Sequence, residues 1–134
     1  MSQENVEIVR RGWEHFQATG EPLEEIYAPD FVWDMGTFPA LVGISERYEG
    51  TDGMRQFIVE WTEPFEDWKV EVESLHDAGE KVLAICRQSG RSRASGVPVE
   101  MRLAQVFTVR DGLQTRMEMY ADPAEAFEAV GLAE

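Results

Sequence analysis

Apolar residues recur at Val6, Val9, Trp13 and Phe16, which is one face of a helix. Ser2, Glu4 and Asn5 mark its start and Gly20 its end. Leu23, Ile26 and Tyr27 predict a short second helix stopped at Pro29, and Phe31 to Met35 reads as a strand. A loop with Gly36, Pro39 and Gly43 follows. Thr51 is then expected to cap a third helix, with Phe57, Ile58, Trp61 and Phe65 along one side and Pro64 marking its end.

From Trp68 the period changes to two, with Val70 and Val72 alternating with Lys69, Glu71 and Glu73. Asp77-Ala78-Gly79-Glu80 is a hairpin signal. Strands are predicted over Lys81–Ser89, Val99–Val109 and Leu113–Ala121, with a polar loop from Gly90 to Pro98. Val99, Met101, Leu103, Gln105, Phe107 and Val109 share one face of the long strand, and Met117 and Met119 share one face of the next. The two sets meet if the turn around Arg110-Asp111-Gly112 has three residues. A two-residue Asp-Gly turn would set the methionines opposite Arg102 and Ala104. The three-residue turn is favoured because it leaves Arg102, Arg116 and Glu118 together on the other face. Asp122-Pro123-Ala124-Glu125 is a capping box with proline at the first helical position, and it opens a last helix ended by Gly131, with Phe127 and Val130 toward the sheet. Three helices and a short strand before a four-stranded meander make the class α+β, as one domain over residues 1–134.

Charge narrows the partners. Twelve basic residues against 26 acidic ones give a net −14, which repels phosphate backbones and anionic membrane surfaces. Neither nucleic acid nor a membrane is therefore expected as partner. The N-terminus has no basic, apolar secretion pattern, and no apolar run reaches the ~20 residues of a membrane span. Cys86 is the only cysteine, which fits a reducing cytoplasm and rules out an intrachain disulfide.

A set of short motifs in fixed order resembles a known family. It comprises the N-terminal amphipathic helix ending at Gly20, Ala28-Pro29-Asp30-Phe31-Val32-Trp33, Gly50-Thr51-Asp52-Gly53, Phe107-Thr108-Val109-Arg110-Asp111-Gly112, and Asp122-Pro123-Ala124-Glu125-Ala126-Phe127. With these the chain resembles SnoaL-like proteins of the nuclear transport factor 2 superfamily, kin of ketosteroid isomerase, limonene epoxide hydrolase and polyketide cyclases. The resemblance implies a curved antiparallel sheet wrapped around the N-terminal helices as a cone with a central pocket. It also implies a homodimer through the outer sheet face, where Ala104, Val106 and Tyr120 are less polar than a solvated face. The isomerase positions carry over one at a time. The tyrosine acid falls on Trp13, the base on Met35 with Asp34 beside it, and the second acid on Gln105. The last-strand aspartate of epoxide hydrolases and cyclases falls on Met119, and the epoxide hydrolase pair near Cys86 and Gln88. None of these positions keeps an acid or base that can exchange protons as those reactions require.

The residues themselves point to an apolar ligand. Trp13, Phe16, Phe31, Trp33, Phe57 and Trp61 fall on inward faces. Three tryptophans are a heavy load for a small closed core, since each buried indole N–H wants a partner. Met35, Met101, Met117 and Met119 add soft, adaptable surface. The expected ligand-binding set is Trp13, Trp33, Met35, Phe57, Trp61, Leu103, Gln105, Met117 and Met119. The catalytic candidates are Asp34 and Gln105. Gln105 is an amide on an otherwise apolar face, whereas Asp34 points outward by strand alternation unless a bulge turns it in. His15 is expected on the solvent side of its helix, and His76 lies at a strand end. No His/Cys/carboxylate spacing fits a metal, and no phosphate or dinucleotide loop is present, so no cofactor is expected. Arg87, Arg91, Arg93 and Arg102 gather around one loop. They read as outer-face ion pairs, such as Arg102 with Glu118, or as a guard at a pocket mouth. The functional expectation is a small apolar ligand of polyketide-, terpenoid- or steroid-like ring type, with isomerase- or cyclase-type activity open. The competing expectation is a dimeric scaffold with a closed pocket.

Overall fold

The structure, a computed structural model, describes residues 2–133. Met1, Glu134 and the Ser2 side chain expected at the first helix start lie outside what is described. Helix α1 spans Ser2–Thr19 and buries Val6 and Val9. It stops where Gly20, at φ 77°, gives its N–H to Phe16 O at 2.7 Å, the left-handed cap that glycine makes without strain.

The expected second helix does not form. Only one 3₁₀ turn, Glu24–Ile26, precedes strand β1 at Tyr27–Asp34. Pro29 explains this, because the residue before a proline is pushed to extended backbone. Pro29 also lies where the ladder to the neighbouring strand is irregular, between Tyr27 and Val32, as a residue without an N–H requires. Strand β2, Arg47–Glu49, was not legible in the sequence. Helix α2, Gly50–Thr62, starts two residues earlier than expected: Glu49 holds the cap position, and Thr51 donates instead to Glu24 at 3.4 Å. Strands β3 (Phe65–Ala78), β4 (Lys81–Ser92), β5 (Pro98–Arg110) and β6 (Leu113–Tyr120) follow, and then helix α3, Pro123–Ala129. The polar loop is thus shorter than expected, since β4 runs on to Ser92 and β5 begins at Pro98.

The six strands form one curved, unclosed sheet in the order β2-β1-β6-β5-β4-β3. It is antiparallel except for the parallel pair β1/β6, a departure from the fully antiparallel expectation. Helices α1 and α2 pack on the concave face with Phe31, Trp33, Phe57, Met117 and Val82. Each such side chain, fully buried, contributes about 1.5–3 kcal/mol. On the other face α3 lays Ala126 and Phe127 over Leu83, Ile85, Ala104 and Val106. Asp122 caps α3 by accepting from Ala124 N at 2.9 Å, with Pro123 in the first turn. Ala104 and Val106, the outer positions that pointed to a dimer, are therefore covered by the chain's own last helix.

The β5–β6 hairpin reaches the expected facing by another route. Arg110 pairs with Leu113, so the turn has two residues, Asp111 and Gly112, at φ 52° and 80°. That is the pair of positive φ values a type I′ turn requires. The ladder then slips, with Val109 opposite Gln114 but Thr108 opposite Arg116. Thr115 is the extra residue of a bulge, and it returns Met117 to Phe107 and Met119 to Gln105 on the inward face.

Candidate functional site

The concave face is not filled. Between α1, α2 and the sheet lies a cavity of about 70 Å³. One water needs roughly 10–15 Å³, whereas an engineered cavity that takes benzene measures about 150 Å³. The space holds a few waters or part of one ring as it stands. Met54 and Met119 line it and, being unbranched and adaptable, can shift to widen it.

Local structure sets this wall. Gln17 donates to Val70 O at 2.6 Å and Asn5 to Gly79 O at 3.0 Å, tying both ends of α1 to the edge hairpin. Helix α2 lies close on β2 because position 53 is glycine: a Cβ there would meet Tyr48 backbone carbon at 3.1 Å. Arg55 holds the same helix to the 3₁₀ turn through Glu24 at 2.6 Å and to the loop before it through Glu21 at 2.7 Å.

All four tryptophans of the chain, Trp13, Trp33, Trp61 and Trp68, line the cavity. Phe57, Leu103, Gln105 and Met119 of the expected set also line it. Met35 and Met117 do not. Both are buried in the adjoining core, so their place in the expected set is corrected. Trp33, Phe57 and Trp61 form a run of ring contacts at 4.7 and 5.2 Å. Trp13, Phe16, Ile58, Thr62, Trp68 and Val70 are half-buried, as is Tyr27.

Three polar residues of the lining were not in the expected ligand-binding set. Gln88 is buried and accepts from both Trp61 Nε1 at 2.7 Å and Trp68 Nε1 at 3.0 Å. Its inward phase was legible through its pairing with Met101, but the double acceptor role was not. Gln114, 1% exposed, reaches the cavity because the two-residue turn sets it opposite the inward Val109. Tyr27 lines it from a strand where a helix was expected.

Among the described residues, four buried side-chain polar atoms have no protein partner: Trp13 Nε1, Trp33 Nε1, Gln105 Oε1 and Gln114 Oε1. All four belong to residues lining the cavity. Two are donors and two are acceptors, and an unpaired buried polar group is costly enough to be rare.

The lining carries no carboxylate, histidine, lysine or arginine. Its ionisable groups are Tyr27 and Cys86, and burial raises both, Cys86 to about 12. Each is therefore neutral near pH 7. Asp34 points to the outer face, where it pairs with Arg116 and accepts from Gly36 N at 2.7 Å. The strand phase expected for it holds. The arginine cluster also lies outside: Arg87 and Arg102 each bond Glu73 at 3.0 Å. Glu118 is not the partner of Arg102 and instead lies 4.0 Å from Lys81. His76 packs edge-on against Phe127 at 4.9 Å, and His15 is half-buried rather than exposed. Among the described residues no three His, Cys, Asp or Glu come together as a metal site, and no helix is long and apolar enough to cross a membrane.

No curated protein matches the chain. Solved structures match over nearly its whole length. TerC co-crystallised with polyporic acid is 19% identical over 96% of this chain and 98% of that one, with a TM-score of 0.73. A nuclear transport factor 2-like protein from Burkholderia thailandensis E264 is 24% identical over 96% and 95%, at 0.68. A protein of ketosteroid isomerase-like fold from Catenulispora acidiphila DSM 44928, in complex with trimethylamine, is 18% identical over 95% and 94%, at 0.67. At these identities the likeness is one of fold. The model of the SnoaL-like domain matches residues 9–117, from the first turns of α1 to the inward methionine of β6, and the chain belongs to the SnoaL-like domain family.

Proposed function

We propose that this protein binds a small, mostly apolar molecule in the cavity between α1, α2 and the sheet. The observation that supports it most is the collection of all four tryptophans around one unfilled space. Although several of these rings also touch one another, the space they leave unfilled presents an apolar, aromatic wall of the kind that small-molecule sites use. Among structural neighbours, TerC was co-crystallised with polyporic acid, which accords with a small-molecule ligand. One ring occupies the buried space once Met54 and Met119 shift, and a larger polyketide-, terpenoid- or steroid-like frame extends past the half-buried rim of Trp13 and Trp68. Isomerase- or cyclase-type turnover would rest on shape and neutral donors, since the lining offers no group that exchanges protons near pH 7.

Tryptophan fluorescence tests the reading. Titration with single-ring aromatic molecules is expected to change the emission saturably, because every fluorophore lines the site. No saturable change up to the solubility limit of such molecules overturns it.

A second copy of this chain as partner, and a cytoplasmic setting, belong to the same proposal. With Ala104 and Val106 covered by α3, pairing would use the charged outer face around Glu73, Arg87 and Arg102. Sedimentation at low and high salt tests it. A 15.2 kDa species at all concentrations overturns it.

A further inference from the structure

The tryptophan cage accounts for an apolar ligand but not for the four unpaired polar atoms around it. Trp33, Gln105 and Gln114 are 6%, 4% and 1% exposed, so bulk water does not reach their side chains freely. A fully apolar ligand would drive out whatever water reaches the cavity and strand two N–H groups and two carbonyl oxygens. Those groups favour a ligand that answers them. The rest of the lining fixes the ligand's charge. No cationic side chain faces the space to receive an anion, no carboxylate faces it to receive a cation, and the indole N–H groups present the positive ends of their dipoles. A buried ion without a partner is strongly disfavoured.

Gln88 provides the contrast within the same wall. Its oxygen is already taken by Trp61 and Trp68, so those two indoles are structural and have no N–H to spare. The recognising groups are the other two tryptophans and the other two glutamines.

Building on the reading of this cavity as a ligand site, we propose that its ligand is an uncharged ring molecule carrying both an acceptor and a donor. A carbonyl-type oxygen takes the N–H of Trp13 or Trp33, and a hydroxyl-type group gives its proton to Gln105 or Gln114. These four side chains set which molecule is bound, and the apolar lining sets how much of it is buried. A hydroxylated aryl ketone has the matching chemistry.

The test uses four probes on one ring: toluene, acetophenone, para-hydroxyacetophenone and benzoate. Each is titrated by calorimetry into the wild-type protein, Gln105→Met and Trp33→Phe, with folding of each variant checked by urea denaturation. Both substitutions keep most of the volume and remove one polar group. The wild type is expected to bind the hydroxyketone at least about tenfold more tightly than toluene, a step of about 1.4 kcal/mol, and to bind benzoate most weakly. Gln105→Met and Trp33→Phe are expected to lose most of that preference, weakening the hydroxyketone several-fold more than toluene. Toluene bound as well as the hydroxyketone, benzoate bound best, or variants that weaken all probes alike would overturn the assignment and leave the cavity as a ligand site standing. Binding of none of the four by the folded wild type overturns both.

Discussion

Asp34 and Arg116 form an ion pair on the outer face of the sheet, across the parallel seam between β1 and β6. This relationship decides the role of the carboxylate next in sequence to the aligned base position. Asp34 has Trp33 on its N-terminal side, and Trp33 points into the cavity, so strand alternation sends Asp34 out. Its carboxylate is 20% exposed and the guanidinium 40%, and such pairs contribute at most about 1 kcal/mol. Asp34→Asn is therefore expected to lower stability by less than about 1 kcal/mol in urea. The amide oxygen of the variant still accepts from Gly36. Ligand binding should be unchanged, and neither form should turn over a ketosteroid or limonene epoxide. Turnover that collapses in Asp34→Asn would show that β1 is bulged in solution.

Gln88 should be among the costliest polar residues to lose. Its carbonyl oxygen satisfies two indole N–H groups at once. Gln88→Met keeps the volume and strands both donors. Each unsatisfied buried donor costs about 1–3 kcal/mol, and Trp68, being half-buried, recovers part of its share from water. The expected loss is about 2–4 kcal/mol by urea denaturation. A loss below about 0.5 kcal/mol would mean that neither indole depends on Gln88.

The bulge at Thr115 makes a prediction about chain length. With Thr115 deleted, Arg116 follows Gln114 directly and the ladder from Arg110 to Ala104 runs without a slip. Met117 and Met119 stay inward. Deletion of Glu118 instead turns Met119 outward or forces Arg116 into the core, because one residue of slip exchanges the two faces. The Thr115 deletion is expected to fold with a loss of no more than about 2 kcal/mol, and the Glu118 deletion not to fold. Circular dichroism and soluble yield of the two proteins decide it. Equal outcomes would contradict the register.

That hairpin also shows how much the sequence carried. The inward phase of Phe107, Gln105, Met117 and Met119 was legible, because alternation of apolar residues encodes burial directly. The means of joining the two phases was not, since a three-residue turn and a two-residue turn with a bulge give the same facing. The second helix failed for a related reason: Leu23, Ile26 and Tyr27 have helical spacing, but Pro29 and pairing with β6 pulled Tyr27 into a strand. The tryptophans of the cavity were legible as inward residues. The unpaired atoms among them were not, because a missing partner is a property of the assembled wall.

Alkaline pH should weaken the fold through two buried groups. Burial holds the Cys86 thiol up to about 12 against an ordinary value of 9.0, and it also raises Tyr27. The unfolded chain releases these protons first, so it binds fewer of them than the native state and stability falls with pH. The contribution is whole below about pH 8.5 and is lost as pH rises toward 12. At the acid end, hydrogen bonds from Tyr48, Arg55 and Arg102 hold Glu60, Glu24 and Glu73 below the usual carboxylate range. Their contribution is present above the unfolded value near 4.3 and fades below it. Urea midpoints are expected to be level between about pH 5 and 8.5 and to fall on both sides. Cys86 should react with a thiol reagent at pH 8 only after denaturation, and rapid reaction of the native protein would contradict its burial.

Gln105 should trade stability against recognition. Its oxygen is buried without a partner in the unliganded protein, a state that costs about 1–3 kcal/mol unless water fills the gap. Methionine has nearly the same length, no group to satisfy, and suits a face shared with Phe107, Leu103 and Met119. Gln105→Met is therefore expected to raise the unliganded protein's stability by about 1 kcal/mol in urea. Saturating hydroxyketone should then stabilise the variant less than the wild type, because ligand stabilisation follows affinity. A structural role for Gln105 predicts the opposite on the first count: removing a satisfied amide would destabilise the unliganded fold. The sign of that one difference, measured without ligand, separates a side chain kept for packing from one kept for what it binds.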